Sequence, residues 1–347
     1  MIRPRCAAIL LMLAAPAASI APAADDWLQW GGRGRDFRAP AADLAPSWPE
    51  AGPTVVWSRD LGPGYSAILA ESGRLYTMYR RGDEEVLVAL EAATGNTVWE
   101  YGYRSPVQGN QSREYGTGPN ATPLIVGDRI YTVGFGSLVH AVDKRSGSLA
   151  WARDPVAELG GEAVVFGNSS SPVAHGGMVV VLIGGTKHAA VGYDLKDGSL
   201  RFASEPSSIG YASPIIIDVG GDDQLVFMTP DEVAGIGMKD GAFRWRVRHE
   251  NQYRVNCATP WWGDDDLLFV SSQGDAGGMT LRLKRNGDRT EVEEVARNRQ
   301  IRIFHNTALR DGDYLYGSSG ARLLAHNIRT GEIAWAEDGF PEANLLL

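Results

Sequence analysis

The chain has 347 residues, a formal net charge of −9, 42 glycines and two cysteines. Its 44% hydrophobic and 22% charged residues are those of a folded globular protein, which excludes wholesale disorder. The acidic balance excludes nucleic acid or an anionic membrane surface as the main partner, and two cysteines exclude a disulfide-stapled scaffold.

In chain order, residues 1–24 read as an export signal. Arg3 and Arg5 precede an apolar run from Ala7 to Ile20, and Ala21 to Ala24 supply a small-residue cleavage site. The run is shorter than the ~20 residues a membrane-spanning helix needs, and no later stretch is apolar enough. Cleavage removes Cys6, so Cys257 is left without a disulfide partner and is read as a buried small hydrophobe. Residues 25–53 form an N-terminal extension and 54–347 one repeat domain. The protein is expected to be exported, periplasmic or extracellular, monomeric, and without a membrane span.

A repeat then runs along the chain. Turn glycines fall at Gly95, Gly147, Gly198, Gly241, Gly287 and Gly331, spaced by 43 to 52 residues, which is the period of a four-stranded propeller blade. All but the degenerate fifth copy, around Lys284–Gly287, continue into an aromatic: Trp99, Trp151, Phe202, Trp245 and Trp335. These five are expected to wedge between adjacent blades, since a large ring fills the gap between twisted sheets. Upstream of four turns stands a Thr-Pro or Ser-Pro pair, at Thr122, Ser171, Ser213 and Thr259, leading into a β-rich run. Proline is tolerated at the start of a strand, where its missing N–H costs no ladder bond. Each unit thus reads as four short antiparallel strands, and no segment has a long helical pattern. The fold class is all-β, a β-propeller with six complete blades.

The segment Ala141-Val142-Asp143-Lys144-Arg145-Ser146-Gly147-Ser148-Leu149-Ala150-Trp151 resembles the Ala-x-Asp-x-x-Thr-Gly-x-x-x-Trp motif of the quinoprotein-type (PQQ-like) propeller repeat family. Ala89 to Trp99 keeps the Thr-Gly and the tryptophan, and Asp26-Trp27-Leu28-Gln29-Trp30 is similar to the opening of secreted members. The resemblance implies one of two kinds of protein. One is the periplasmic alcohol dehydrogenases that use pyrroloquinoline quinone (PQQ) and calcium and carry two adjacent cysteines beside the quinone. The other keeps the propeller without a cofactor. Cys257 has no cysteine neighbour, which favours the second kind. Family rings have eight blades. Thr54 to Asp60 reads as a fourth strand with no blade before it, and Phe340 to Leu347 as the first strand of a seventh unit, so the sequence resembles such a ring cut short.

The residues just before each blade's first strand should ring one mouth of the central channel. They are Tyr65 with Ser66, Asn120, Ser170, Tyr211, Asn256 with Cys257, and His305 with Asn306; Tyr115, Arg254 and Asn344 lie near the same level. Convergent hydrogen-bonding groups in a funnel suit a ligand, although such groups also serve loop backbone and channel water. No catalytic residue and no metal site is assigned. The histidines lack metal-ligand spacing, the Asp264–Asp266 run sits in a turn, and there is no nucleophile elbow. The expected function is therefore a non-catalytic exported binding or scaffold protein taking a protein, peptide or small ligand. The alternative is a PQQ-dependent alcohol oxidoreductase.

Overall fold

The computed structural model describes residues 26–40, 47–109, 111–161, 164–340 and 343–347; the expected export signal lies outside them. Among the described residues are six four-stranded antiparallel sheets, each ordered as its strands occur in the chain. Blade 1 comprises Leu69–Glu71, Arg74–Arg81, Glu84–Glu91 and Thr97–Arg104 (β1–β4). Blade 2 comprises Leu124–Val126, Arg129–Val133, Val139–Asp143 and Leu149–Arg153 (β5–β8). Blade 3 comprises Val173–His175, Met178–Leu182, Ala190–Asp194 and Leu200–Ala203 (β9–β12). Blade 4 comprises Ile215–Asp218, Asp223–Met228, Glu232–Gly237 and Phe243–Arg248 (β13–β16). Blade 5 comprises Trp261–Trp262, Leu267–Ser272, Gly277–Asn286 and Arg289–Asn298 (β17–β20). Blade 6 comprises Leu309–Asp311, Tyr314–Ser319, Arg322–Asn327 and Ile333–Asp338 (β21–β24).

The sequence dictates the third-to-fourth turn of each blade. Gly95, Gly147, Gly198, Gly241 and Gly331 all lie near φ +70°, a left-handed conformation that favours glycine. The acid of the motif closes the turn: Asp143 Oδ1 accepts from the Arg145 and Ser146 N–H groups, and Asp194 Oδ1 from Lys196 N–H. These bonds, led by Ser146 on Asp143 and by Lys196 N–H on Asp194, hold both carboxyls below the usual aspartate range. In all six blades a register shift interrupts the pairing of the third and fourth strands, between Ala141 and Val142 for example. The bulge adds local twist and turns the aromatic toward the neighbouring blade.

Three tryptophans share one docking geometry. A Cβ added to Gly95, Gly147 or Gly198 would come within 2.6 or 2.7 Å of the Trp57, Trp99 or Trp151 ring respectively. Each indole N–H donates to the carbonyl three residues before that glycine: Trp57 to Ala92 (2.8 Å), Trp99 to Lys144 (3.1 Å) and Trp151 to Leu195 (3.3 Å). The bare glycine face is thus the receptor for the preceding unit's ring. Phe202 is buried in the core shared by blades 3 and 4. Trp245 is also buried, but its N–H goes to Gln224 Oε1 of its own sheet, because the long β19–β20 hairpin has no matching turn. Trp335 carries the same motif and is 44% exposed.

Three features depart from the sequence reading. Residues 54–60 and 343–347 join no sheet; Trp57 docks without a ladder, and Leu347 instead exchanges backbone bonds with Phe37 and Ala39. The degenerate fifth copy is a hairpin of two ten-residue strands. A short helix, Pro155–Leu159 (α1), follows β8; Asp154 caps it by accepting from Ala157 N–H, and Gly160 ends it at φ +69°. No helix among the described residues is long and apolar enough to cross a membrane.

Candidate functional site

The first strands of the blades line the central channel, and the Thr/Ser-Pro pairs bind them together. Ala67 N–H donates to Thr122 Oγ1, Thr122 N–H to Ser171 Oγ, and Ser171 N–H to Ser213 Oγ, each at 3.0 Å. Each proline removes the next donor and starts a strand, while the residue before it passes one hydrogen bond between neighbouring blades. The fourth member, Thr259, accepts instead from Trp30 Nε1 at 3.0 Å.

That exception reveals what occupies the axis. The Trp27 backbone pairs with Ala70 of β1, and Leu28 O accepts from Ile125 N–H of β5. Arg35 donates to Pro172 O, just before β9, at 3.2 Å, and Arg38 to Arg310 O of β21. With Trp30 on Thr259, residues 27–38 touch the innermost strands of five blades, which only a position on the axis permits. Trp30 and Phe37 meet edge to face at 5.0 Å. The guanidinium of Arg35 is buried, its Nε and Nη2 have no partner among the described residues, and burial lowers its pKa to about 9. The sequence marks this segment only by its likeness to the opening of secreted family members; its partners lie between 43 and 272 residues away and follow no period.

At the mouth, the expected ring divides into two classes. Asn256, Ser170 and Asn120 serve the loops. Asn256 is fully buried: Nδ2 donates to Thr229 O at 2.6 Å, and Oδ1 accepts from Asn251 and Ser272. Ser170 Oγ donates to Ala212 O, and Asn120 Nδ2 to Phe166 O. Asn306 is buried with its Oδ1 unpartnered among the described residues. Arg254 stands at φ +55° and pairs with Asp231 at 2.7 Å on the surface.

The accessible class is aromatic. Tyr65 is 65% and Tyr115 62% exposed. Tyr115 meets Phe166 edge-on at 5.3 Å, and Phe166 lies 5.7 Å from Tyr211, giving a continuous aromatic band along one side of the mouth. Phe166 was missed because it falls between repeats. Burial raises the Tyr211 hydroxyl and pushes the neighbouring Cys257 thiol up to about 12, so that cysteine is not a thiolate nucleophile at neutral pH. His305 is exposed and its ring meets Phe304 at 4.1 Å, tilted by 54°.

The dehydrogenase cofactors need a cysteine pair and converging carboxylates. Among the described residues Cys257 stands without a second cysteine, and no group of three or more His, Cys, Asp or Glu is placed to hold a metal ion.

Residues 49–208 match the family model described as outer membrane protein assembly factor BamB. Among solved structures, the chain is similar to BamB from Moraxella catarrhalis, with a TM-score of 0.55 and 18% identity over 82% of this chain and 76% of that one. It is also similar to a europium-containing methanol dehydrogenase, with a TM-score of 0.52 and 12% identity over 78% of this chain and 68% of that one. No curated protein matches it by sequence. At these identities the solved structures bear on fold alone. Repeat motif, blade architecture and family match agree: residues 49–208 match a PQQ-like repeat model, and the chain has the β-propeller fold of the solved structures it resembles.

Proposed function

We propose that this chain is a non-catalytic binding protein of the cell envelope that captures its ligand at the channel mouth, with Tyr65, Tyr115, Phe166 and Tyr211 as the contact band. One observation carries this reading: the chain's own Trp30 and Arg35 lie against the inner ends of the blades, tied to Thr259 and Pro172, which favours accessible chemistry at the mouth rather than deep in the channel. That Cys257 has no partner cysteine and that no metal-ligand cluster stands among the described residues support the same side. The match to a model described as an outer-membrane protein assembly factor favours a protein or peptide ligand and an exported location.

The test compares wild-type protein with the Tyr65→Ala/Tyr115→Ala variant as bait for envelope extracts. Both rings are exposed, so the variant should unfold at nearly the same urea concentration. Loss of a specific partner in the variant supports the reading; identical capture by both removes the aromatic band from the function.

A further inference from the structure

Beside the mouth, where blade 6 begins, lies a cavity of about 420 Å³ between the segments 300–306 and 318–322. Its chemistry runs against that of the chain. The protein carries a net charge of −9, yet the cavity wall presents Arg302, Arg322 and His305 and none of its described lining residues is acidic. Arg302 forms no ion pair among the described residues; its Nε donates only to the Arg299 carbonyl. Arg322 pairs with Asp338 at 3.1 Å, but both side chains are exposed. Such a pair is worth about 0–1 kcal/mol, so a better anion can replace Asp338. A guanidinium without a carboxylate beside a concave surface is a ready receptor for a carboxylate, which it can meet with two parallel hydrogen bonds.

The site is also preformed. Arg302 N–H donates to Ser319 Oγ at 2.9 Å and Ile303 forms a β-bridge with Ser319, so the two walls are tied together. Phe304 and His305, their rings in contact at 4.1 Å and tilted by 54°, flank the cavity with carbon surface. Asn306, 3% exposed in the wall, has an Oδ1 with no partner among the described residues. A buried acceptor left unpaired is costly and calls for an O–H or N–H donor.

We propose that this cavity binds a small organic anion, a polyhydroxylated carboxylate, held by Arg302 and Arg322 and flanked by Phe304 and His305. The proposal deepens the reading of the mouth as a binding face and rests on it. The test is isothermal titration of the full chain with glucuronate, glucose and inorganic phosphate at low salt. The proposal expects saturable one-to-one binding of glucuronate, no binding of glucose, and phosphate weaker than glucuronate. Arg302→Gln/Arg322→Gln should weaken glucuronate at least tenfold with an unchanged unfolding midpoint. It is overturned if glucuronate gives no saturable heat, if glucose binds equally, if phosphate binds more tightly, or if the variant binds as wild type does. Partner capture that still depends on Tyr65 and Tyr115 would then show that the anion site alone had failed.

Discussion

Replacing Gly147 with alanine tests the docking account, because the structure supplies its own control. At Gly147, φ is +72° and the new Cβ would come 2.7 Å from the Trp99 ring. At Gly127, φ is +57° and nothing lies within 4 Å of the added atom. Both substitutions therefore carry the left-handed penalty of about 1–2 kcal/mol, and both restrict the unfolded chain equally. Only Gly147→Ala also displaces the indole. That costs about 1–3 kcal/mol for overpacking and about 1 kcal/mol for the Trp99 Nε1 bond to Lys144 O. The difference between the two variants should be about 2–4 kcal/mol, read from urea unfolding midpoints followed by tryptophan fluorescence. Equal destabilisation would refute the claim that the glycine face is the receptor for the preceding blade's ring.

Other expectations follow from burial. Trp151→Ala should cost about 3–5 kcal/mol and Trp335→Ala about 1 kcal/mol, since the former is 6% and the latter 44% exposed; similar losses by urea unfolding would contradict the assigned docking. Arg35→Met removes a buried cation with two unpartnered nitrogens and should leave the melting temperature unchanged or raise it, whereas a drop of many degrees would reveal a compensating partner. His140, His249 and His326 are buried, and desolvation lowers each pKa to about 4. The unfolded chain takes up protons below about 6.5 while the fold keeps these rings neutral, so stability should fall between pH 6.5 and 4 by up to about 1.4 kcal/mol per unit per histidine. Glu85, whose pKa burial raises, opposes this trend. Substituting His140 by glutamine should reduce the slope, and an unchanged slope would exclude that histidine.

The parts of the fold legible in the sequence were those with a local physical cause. A left-handed turn admits little but glycine, so Gly95, Gly147 and Gly198 announced the blades, and the large ring that follows each was legible as a docking group. The same logic was blind to context. Trp151 and Trp335 share one motif, yet only the first has a glycine face to cover, and Trp245 turned to Gln224 because blade 5 offers a different hairpin. Helix α1 carried the local signals Asp154-Pro155 and Gly160, too short to register as a helical period. For the expected mouth residues, position in the repeat did not predict exposure: Asn256 is sealed while Tyr115 is open. The axial segment showed a likeness to a family opening but nothing of its place in the fold, since Trp30 and Arg35 find partners 229 and 137 residues away. The two arginines of the blade 6 cavity were equally silent, being ordinary surface cations until the fold gathers them on a wall whose lining residues include no acid.

The central claim is that this propeller binds without catalysing, and equilibrium titration of the full chain with PQQ in the presence of calcium tests it most directly. Bound-quinone absorbance and dye-linked alcohol oxidation are read from the same sample. The account predicts no saturable quinone binding and no turnover, because Trp30 and Arg35 are tied to the inner ends of the blades and Cys257 has no partner cysteine among the described residues. Stoichiometric binding accompanied by alcohol oxidation would contradict it.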